Sequence, residues 1–163
     1  MRDQPATIAD FAVADENGTR AAAARLAAVL APGDIVALDG TLGAGKTAFA
    51  RALINALPGP AEDVPSPTFT LVQTYPRGDL EVWHFDLYRL EDPEEAYELG
   101  IEDAFADAVS LIEWPDRLGG LLPAGHLKVT MTGDASRRRF VISGNARWAE
   151  RLNGIFEGAG LDG

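Results

Sequence analysis

The sequence predicts an α/β fold with three layers, in which a largely parallel sheet lies between two layers of helices. Residues 34–38 and 108–112 are mostly apolar, as expected of strands that are buried on both faces of a parallel sheet. Helical patterns separate the strands along the chain. Residues 127–132 and 138–143 instead alternate apolar and polar side chains, which predicts an antiparallel hairpin at one edge of the sheet.

The N-terminal half contains two strand–helix units. A short strand over residues 7–13 precedes an Ala-rich helix over 17–30. The apolar strand 34–38 then leads into a glycine-rich loop. A second helix passes through 48–53 and stops at the break Leu57-Pro58-Gly59.

The C-terminal half adds further strands and two more helices. We predict strands over 68–75 and 80–88. A helix over 93–105 begins with Pro93, which suits the first turn, and the two glutamates that follow complement the helix dipole. A final amphipathic helix is predicted over 146–156.

Length and composition favour one domain over residues 1–163, with 1–6 and 157–163 frayed at its ends. The chain has no Cys, which excludes disulfides, thiolate catalysis and Cys-based zinc sites. No apolar run approaches the ~18 residues of a membrane-spanning helix, and the first ten residues lack the apolar segment of a signal peptide. We therefore expect no membrane association and a cytoplasmic location.

The net charge of −11 argues against unaided binding to DNA or RNA, because a nucleic-acid backbone is bound by basic surfaces. The one basic run, Arg137-Arg138-Arg139, is short and is interpreted as a solvated edge of the hairpin.

Residues Gly40 to Thr47 read GTLGAGKT and match the phosphate-binding pattern G-x-x-x-x-G-K-[ST] in full. The stretch lies between a buried strand and a helix, which is the context that the pattern requires. Its glycines allow successive backbone amides to turn inward, and the helix adds its positive N-terminal end. We predict a P-loop NTPase-like sandwich in which the amides of Gly43, Ala44 and Gly45 cradle a phosphate.

Lys46 and Thr47 complete this loop. Lys46 brings a compact positive charge to the β- and γ-phosphates, and the Thr47 hydroxyl is a ligand for Mg²⁺. The only other lysine is Lys128. A lysine kept at this position fits a role that the wide guanidinium of arginine would perform badly.

Two carboxylates on predicted strands are candidates for metal binding and catalysis. Glu113 follows the strand 108–112 and is placed to complete a Mg²⁺ shell. Asp86 could orient the attacking water or a water of the metal shell, although a structural, hydrogen-bonded role fits its spacing almost as well. His84 lies two residues earlier on the same strand face and is interpreted as a packed residue.

Other motifs narrow the choice of ligand. The guanine-specific stretch N-K-x-D is absent, so adenine is the expected base. His84 and His126 offer no zinc-like cluster, and the sequence contains no G-x-S-x-G nucleophile elbow.

Four stretches in this order resemble the TsaE (YjeE) family: GTLGAGKT, SPTFTLVQTY, HFDLYRLEDPEE with LGIEDAF, and LIEWPDRL. Members of that family are small bacterial P-loop ATPases required for the threonylcarbamoyladenosine modification of tRNA. The resemblance extends from about residue 15 to 143, and the last three motifs are more specific than the loop.

The resemblance implies roles for the site residues. It assigns the phosphates to Lys46 and Thr47, and the metal to Thr47 and Glu113. Asp86 becomes a nucleotide-site and catalytic acid, and residues 66–68 become a switch-like element. The implied catalytic residues are Lys46, Asp86, Glu113 and Thr68.

Two further contacts to the nucleotide are implied near the ends of the match. Asp15 aligns with an N-terminal residue that touches the nucleotide in the family. A basic residue late in the chain also approaches it, and here we prefer Arg138 over Arg137, although a Gly-Arg pair is more typical at this point. Trp114 is either a residue that tunes turnover or a packed aromatic.

The resemblance also implies ATP and Mg²⁺ as cofactors and a TsaB–TsaD complex as the partner. ATP binding would promote assembly with that complex, and hydrolysis would reset it between rounds. The partners would hold the tRNA, which agrees with the acidic character of this chain.

Two alternatives stay open. A small-molecule P-loop kinase would use Asp86 as the base for an acceptor hydroxyl, but residues 115–126 contain only Arg117 where such kinases carry an Arg-bearing lid. A non-hydrolysing, nucleotide-gated binding module would keep the phosphate loop and use Asp86 and Glu113 structurally.

Overall fold

In the part of the chain that the structure describes, seven strands form one sheet. The computed structural model describes residues 5–40, 45–65, 67, 70–134 and 136–160. The strands are β1 (Ala6–Val13), β2 (Ile35–Gly40), β3 (Val72–Arg77), β4 (Leu80–Asp86), β5 (Val109–Glu113), β6 (Leu127–Asp134) and β7 (Arg137–Gly144). Their order across the sheet is β1-β7-β6-β2-β5-β4-β3.

Helices cover both faces of the sheet. The α-helices are α1 (Glu16–Ala27), α2 (Lys46–Ala56), α3 (Ile101–Asp107) and α4 (Ala146–Arg151), and the 3-10 helices are Pro93–Leu99 and Pro115–Leu121. Side chains of α1, α2 and α4 share one core with Val36 and Leu38 of β2. On the opposite face, α3 and the 3-10 helices share a second core with Phe85 and Ile112. The two cores exist because successive strand residues point to opposite faces, and they confirm the three-layer α/β prediction.

The centre of the sheet is parallel, and both edges are antiparallel. β6, β2, β5 and β4 pair in parallel. The predicted hairpin is β6–β7, but β1 pairs outside β7 and forms that edge. At the other edge β3 pairs antiparallel with β4, an orientation that the sequence analysis did not specify. The carboxyl ends of the four parallel strands therefore lie at one end of the sheet.

The helix predicted over 93–105 is wrong in one respect, because it is two helices. Gly100 separates the 3-10 helix Pro93–Leu99 from α3 and has a φ of 81°, a left-handed value that favours glycine. The indole of Trp83 lies 3.2 Å from where a Cβ on Gly100 would be, so the space also favours glycine.

Two other helices are shorter than predicted. α1 ends at Ala27 rather than at residue 30, and α4 ends at Arg151 rather than at 156. Turns follow α4 and still bury Leu152 and Phe156 against the sheet, because apolar periodicity marks burial as well as helix.

The chain ends are described from residue 5 to residue 160, and residues 1–4 and 161–163 lie outside the described part. Ala6 pairs with Gly144 at the start of β1. Near the other end, the carbonyl of Glu157 accepts a hydrogen bond from Arg25 Nη1 at 2.7 Å. Within the described ranges, no helix combines the length and the apolar character needed to cross a membrane.

Candidate nucleotide-binding site

The site residues converge where the parallel strands end and α2 begins. Gly40 ends β2, Asp86 ends β4 and Glu113 ends β5. Glu113 lies between its neighbours in register, with Leu38 on one side and Asp86 on the other. Strand partners in a parallel sheet point to the same face, so both carboxylates lie on the face that carries α2.

Two glycines of the phosphate loop are required by their surroundings. Gly40 has a φ of 143°, and a Cβ there would lie 2.3 Å from the Met131 carbonyl oxygen. Gly45 has a φ of 104°, and its Cβ would lie 2.4 Å from the guanidinium carbon of Arg138. No side chain fits at either position without rearrangement. The intervening loop, with the predicted phosphate-binding Gly43 and Ala44, lies outside the described residues.

Lys46, the first residue of α2, is buried at this end of the sheet. Its ammonium donates to the Gly40 carbonyl at 2.7 Å and lies 4.1 Å from the centre of the Trp114 ring. Burial lowers the pKa of Lys46, although the carboxylates of Glu113, Asp39 and Asp86 act in the opposite direction. An anionic ligand at this position would favour the charged form.

Glu113 connects β5 with α2 and β4. Thr47 Oγ1 lies 3.1 Å from each of its carboxylate oxygens, and Nε2 of His84 lies 2.6 Å from Oε2. Glu113 is only 3% exposed and His84 is fully buried. A hydroxyl and a carboxylate are oxygen ligands of the kind that Mg²⁺ prefers.

A metal ion at Thr47 and Glu113 would need further ligands. Within the described ranges, no group of three or more His, Asp or Glu side chains could hold a metal ion. Mg²⁺ bound beside nucleotide phosphates usually takes only one or two protein carboxylates and keeps several waters. The donor set therefore fits Mg²⁺ bound together with a nucleotide.

Asp86 is buried beside Glu113. Its Oδ1 accepts a hydrogen bond from the Tyr88 amide at 3.0 Å, and its own amide donates to the Leu71 carbonyl at 3.0 Å. The Asp86 carboxylate is therefore hydrogen-bonded locally, and it lies next to Glu113 in the register of β4 and β5. Ser66 and Thr68 of the predicted switch lie outside the described residues.

Arg138 brings β7 to the phosphate loop. Its guanidinium packs against Gly45 and donates from Nη1 to Thr19 Oγ1 at 2.9 Å and to Glu16 Oε1 at 3.3 Å. The interpretation of the basic run as a solvated edge is therefore wrong for Arg138, which is 5% exposed. Arg137 is exposed and does not join this cluster.

Asp15 immediately precedes α1, the helix whose Glu16 and Thr19 accept hydrogen bonds from Arg138. Its Oδ1 caps the helix by accepting from the Gly18 amide at 3.1 Å, and the residue is exposed. Thr19, one turn further along α1, is fully buried and holds Arg138. Sequence reasoning missed Thr19, because a lone threonine in an Ala-rich helix carries no signal of its own.

Trp114 also has a more specific position than the sequence indicated. Its backbone is left-handed, with a φ of 60°, which is uncommon for a bulky residue. The indole lies between the Lys46 ammonium, at 4.1 Å from the ring centre, and the ring of Tyr88, at 4.9 Å. Trp114 is thus both packed and in direct contact with the site.

Comparisons with known proteins agree with the four motifs. The family model described as "Threonylcarbamoyl adenosine biosynthesis protein TsaE" matches residues 13–141, a span that includes all four. The tRNA threonylcarbamoyladenosine biosynthesis protein TsaE of Rickettsia felis is 44% identical over 117 residues, which are 72% of this chain and 68% of that protein. The protein of the same name from Bacillus subtilis is 39% identical over 131 residues, or 78% of this chain and 81% of its own length.

A solved structure agrees in fold. The crystal structure of YdiB from Bacillus subtilis superposes with a TM-score of 0.78 and 26% sequence identity, covering 94% of this chain and 97% of YdiB. The family resemblance and the fold class inferred from the sequence are both confirmed.

Proposed function

The chain belongs to the TsaE family of tRNA threonylcarbamoyladenosine biosynthesis, and on that premise we propose that it is a Mg²⁺-dependent ATPase acting on a TsaB–TsaD complex. ATP binding promotes assembly with that complex, and hydrolysis resets it between rounds. The ATPase is slow alone and faster when the partners complete the site.

One observation carries the proposal: an ammonium, a hydroxyl and a carboxylate converge at the start of α2. Burial disfavours the charged form of Lys46 and lowers its pKa, and the negative charge of a triphosphate would offset this effect. Thr47 and Glu113 already lie within hydrogen-bond distance of each other, so both can serve one ion. Glycine at 45 leaves the space beside Arg138 that a side chain would fill.

The residues act on the reaction in distinct ways. A water attacks the γ-phosphorus, the new O–P bond forms, and the bond to the β-phosphate oxygen breaks so that ADP leaves, while the proton of the water goes to the released phosphate or to solvent. Lys46 and Arg138 supply positive charge where the phosphate oxygens lie. Asp86, next to Glu113 in register, is the acid that orients the water. Thr47 and Glu113 would hold Mg²⁺, which when bound would supply positive charge beside the phosphates.

The acidic surface supports an indirect role with tRNA. The net charge of −11 disfavours autonomous contact with a phosphate backbone. The partners therefore hold the tRNA, and this chain contributes the nucleotide cycle.

The test is phosphate release from ATP, measured with and without Mg²⁺ and with and without TsaB–TsaD and tRNA. We expect release that requires Mg²⁺ and increases with the partners, and that falls to background in a folded Lys46→Ala variant. Normal turnover by Lys46→Ala would overturn the proposal. If the ATP carries a labelled γ-phosphate, transfer of that label to a product other than free phosphate would favour the kinase. Tight ATP binding without any release, even with partners, would favour the binding module.

A further inference from the structure

His84 is not only a packed residue, because the one side-chain hydrogen bond that the described residues offer it goes to Glu113, the candidate metal ligand. Nε2 lies 2.6 Å from Glu113 Oε2, the shortest contact of that carboxylate among its described hydrogen bonds. The ring is fully buried, and Nδ1 has no hydrogen-bond partner among the described residues. All the polar bonding of this imidazole that the described residues provide is therefore directed at Glu113.

The direction of this hydrogen bond follows from the chemistry of the two groups. An ionised carboxylate only accepts, so Nε2 carries the proton and donates to Glu113. The other histidine has the reverse pattern: Nδ1 of His126 lies 2.7 Å from the Pro123 carbonyl oxygen, to which it must donate.

The position of His84 in the sheet lets it act on Glu113 without touching the ligand. His84 faces Leu111 across the β4–β5 pair, and the two lie two residues before the partners Asp86 and Glu113, on the same face of the sheet. Thr47 contacts the same carboxylate from α2. The Glu113 carboxylate therefore contacts the imidazole of His84 on β4 and the hydroxyl of Thr47 on α2.

We propose that His84 is a positioning residue that fixes the Glu113 carboxylate in the orientation in which it binds Mg²⁺ with nucleotide. The proposal rests on the metal role of Glu113 in the proposed function. Hydrogen bonds from partners of metal ligands typically change metal affinity or activity by about 10–100-fold. A loss of this contact should therefore affect Mg²⁺-dependent binding and leave Mg²⁺-independent binding unchanged.

The binding test compares His84→Leu with His84→Gln. Leucine fills the apolar part of the space and cannot donate, whereas the glutamine amide can replace the Nε2 donor. The affinity of a fluorescent ADP analogue is measured in EDTA and in excess Mg²⁺. We expect all three proteins to bind alike in EDTA. In excess Mg²⁺, the affinity of His84→Leu for the ADP analogue should be about 10-fold weaker than that of the wild type. The affinity of His84→Gln should be close to that of the wild type.

The outcomes separate this proposal from the proposed function. If the wild-type protein gains no affinity from Mg²⁺, the magnesium site of the proposed function fails. If the wild type gains affinity and His84→Leu gains as much, the role of His84 is overturned while the proposed function stands. Equal losses in His84→Leu and His84→Gln, in EDTA as well as in Mg²⁺, would show a merely structural residue and also overturn the proposal.

A measurement on the wild-type protein covers the case in which His84→Leu does not fold. The chain has two histidines, so imidazole ¹⁵N signals can be assigned with a His126→Gln variant. We expect His84 to carry its proton on Nε2 and His126 on Nδ1. The Nε2 signal of His84 should shift when Mg²⁺ is added to the ADP complex and stay unchanged when Mg²⁺ is added to a Glu113→Gln variant. A proton on Nδ1 of His84, or no shift on addition of Mg²⁺ to a wild type that gains affinity, would overturn the proposal.

Discussion

Two clusters of charged side chains lie at opposite ends of β2, and they are built in opposite ways. Before β2, Arg151 donates to both carboxylate oxygens of Asp34, at 2.9 and 2.6 Å, and these hydrogen bonds raise the pKa of Arg151. After β2, burial lowers the pKa of Lys46 even though three carboxylates oppose the shift. The first cluster satisfies its own charges and stabilises the fold. The second holds a buried cation whose charged form is disfavoured, which is expected of a functional site.

The largest effect should come from replacing one acid in each cluster by its amide. Glu113→Gln removes the charge that would bind the metal in the proposed function, so we expect Mg²⁺-dependent phosphate release to fall by about 100-fold or more, as when one group that stabilises the transition state is removed. Asp34→Asn should leave phosphate release unchanged and lower the thermal unfolding temperature instead. Phosphate release and thermal unfolding of both variants provide the measurement. Equal activity of the two variants would contradict the distinction between the clusters.

The next largest effect should come from replacing a glycine by alanine at each end of β2. Gly45→Ala forces a Cβ into the Arg138 guanidinium at a φ of 104°, which should lower the free energy of unfolding by about 1–3 kcal/mol. Gly125→Ala is the matched control at the Asp34 end, where no atom lies within 4 Å of the new Cβ. Denaturant unfolding measures both. A Gly45→Ala protein as stable as Gly125→Ala would contradict the described conformation of the loop.

A smaller effect on unfolding free energy should distinguish an ion pair that has further contacts from one that is exposed to water. Arg151→Ala loses the bonds to Asp34, a bond to the Val29 carbonyl and the stacking on Trp148, so we expect a loss of about 1–2 kcal/mol in unfolding free energy. Arg139→Ala removes an ion pair with Asp10 in which both side chains are exposed, and should change stability little, since water and salt screen it. Unfolding at low and high salt tests both variants. A larger loss for Arg139→Ala would contradict this ranking.

The smallest effect is on the pH dependence of stability. The pKa of Lys46 is lowered in the folded state, so the unfolded chain binds more protons between the folded and unfolded pKa values of this lysine. The contribution of Lys46 is therefore unfavourable below the folded pKa, and it is relieved as pH rises toward 10.5, the ordinary lysine value. We expect the stability of the wild type relative to Lys46→Met to rise over that range. A difference that stays constant with pH would show that burial does not act on Lys46.

The sequence predicted the elements that depend on local signals. The buried strands, the helix after the phosphate loop and the β6–β7 hairpin all lie where the apolar patterns placed them. The errors in helix length occur where residues spaced as on a helix are buried although the backbone between them is not helical. Gly100 interrupts one predicted helix, and α4 ends early, because apolar spacing reports which residues are buried and not how the backbone between them turns.

The residue types of the candidate site could be predicted from the chain alone. The loop pattern, the lysine, the threonine and the two strand-end carboxylates each have a motif or a spacing. The residues that contact and support these side chains follow instead from the packing of the folded chain. His84 on Glu113, Thr19 on Arg138 and Trp114 over Lys46 are contacts between elements distant along the chain. Strand order and helix packing bring such residues together, and a linear pattern carries no record of which neighbours those will be.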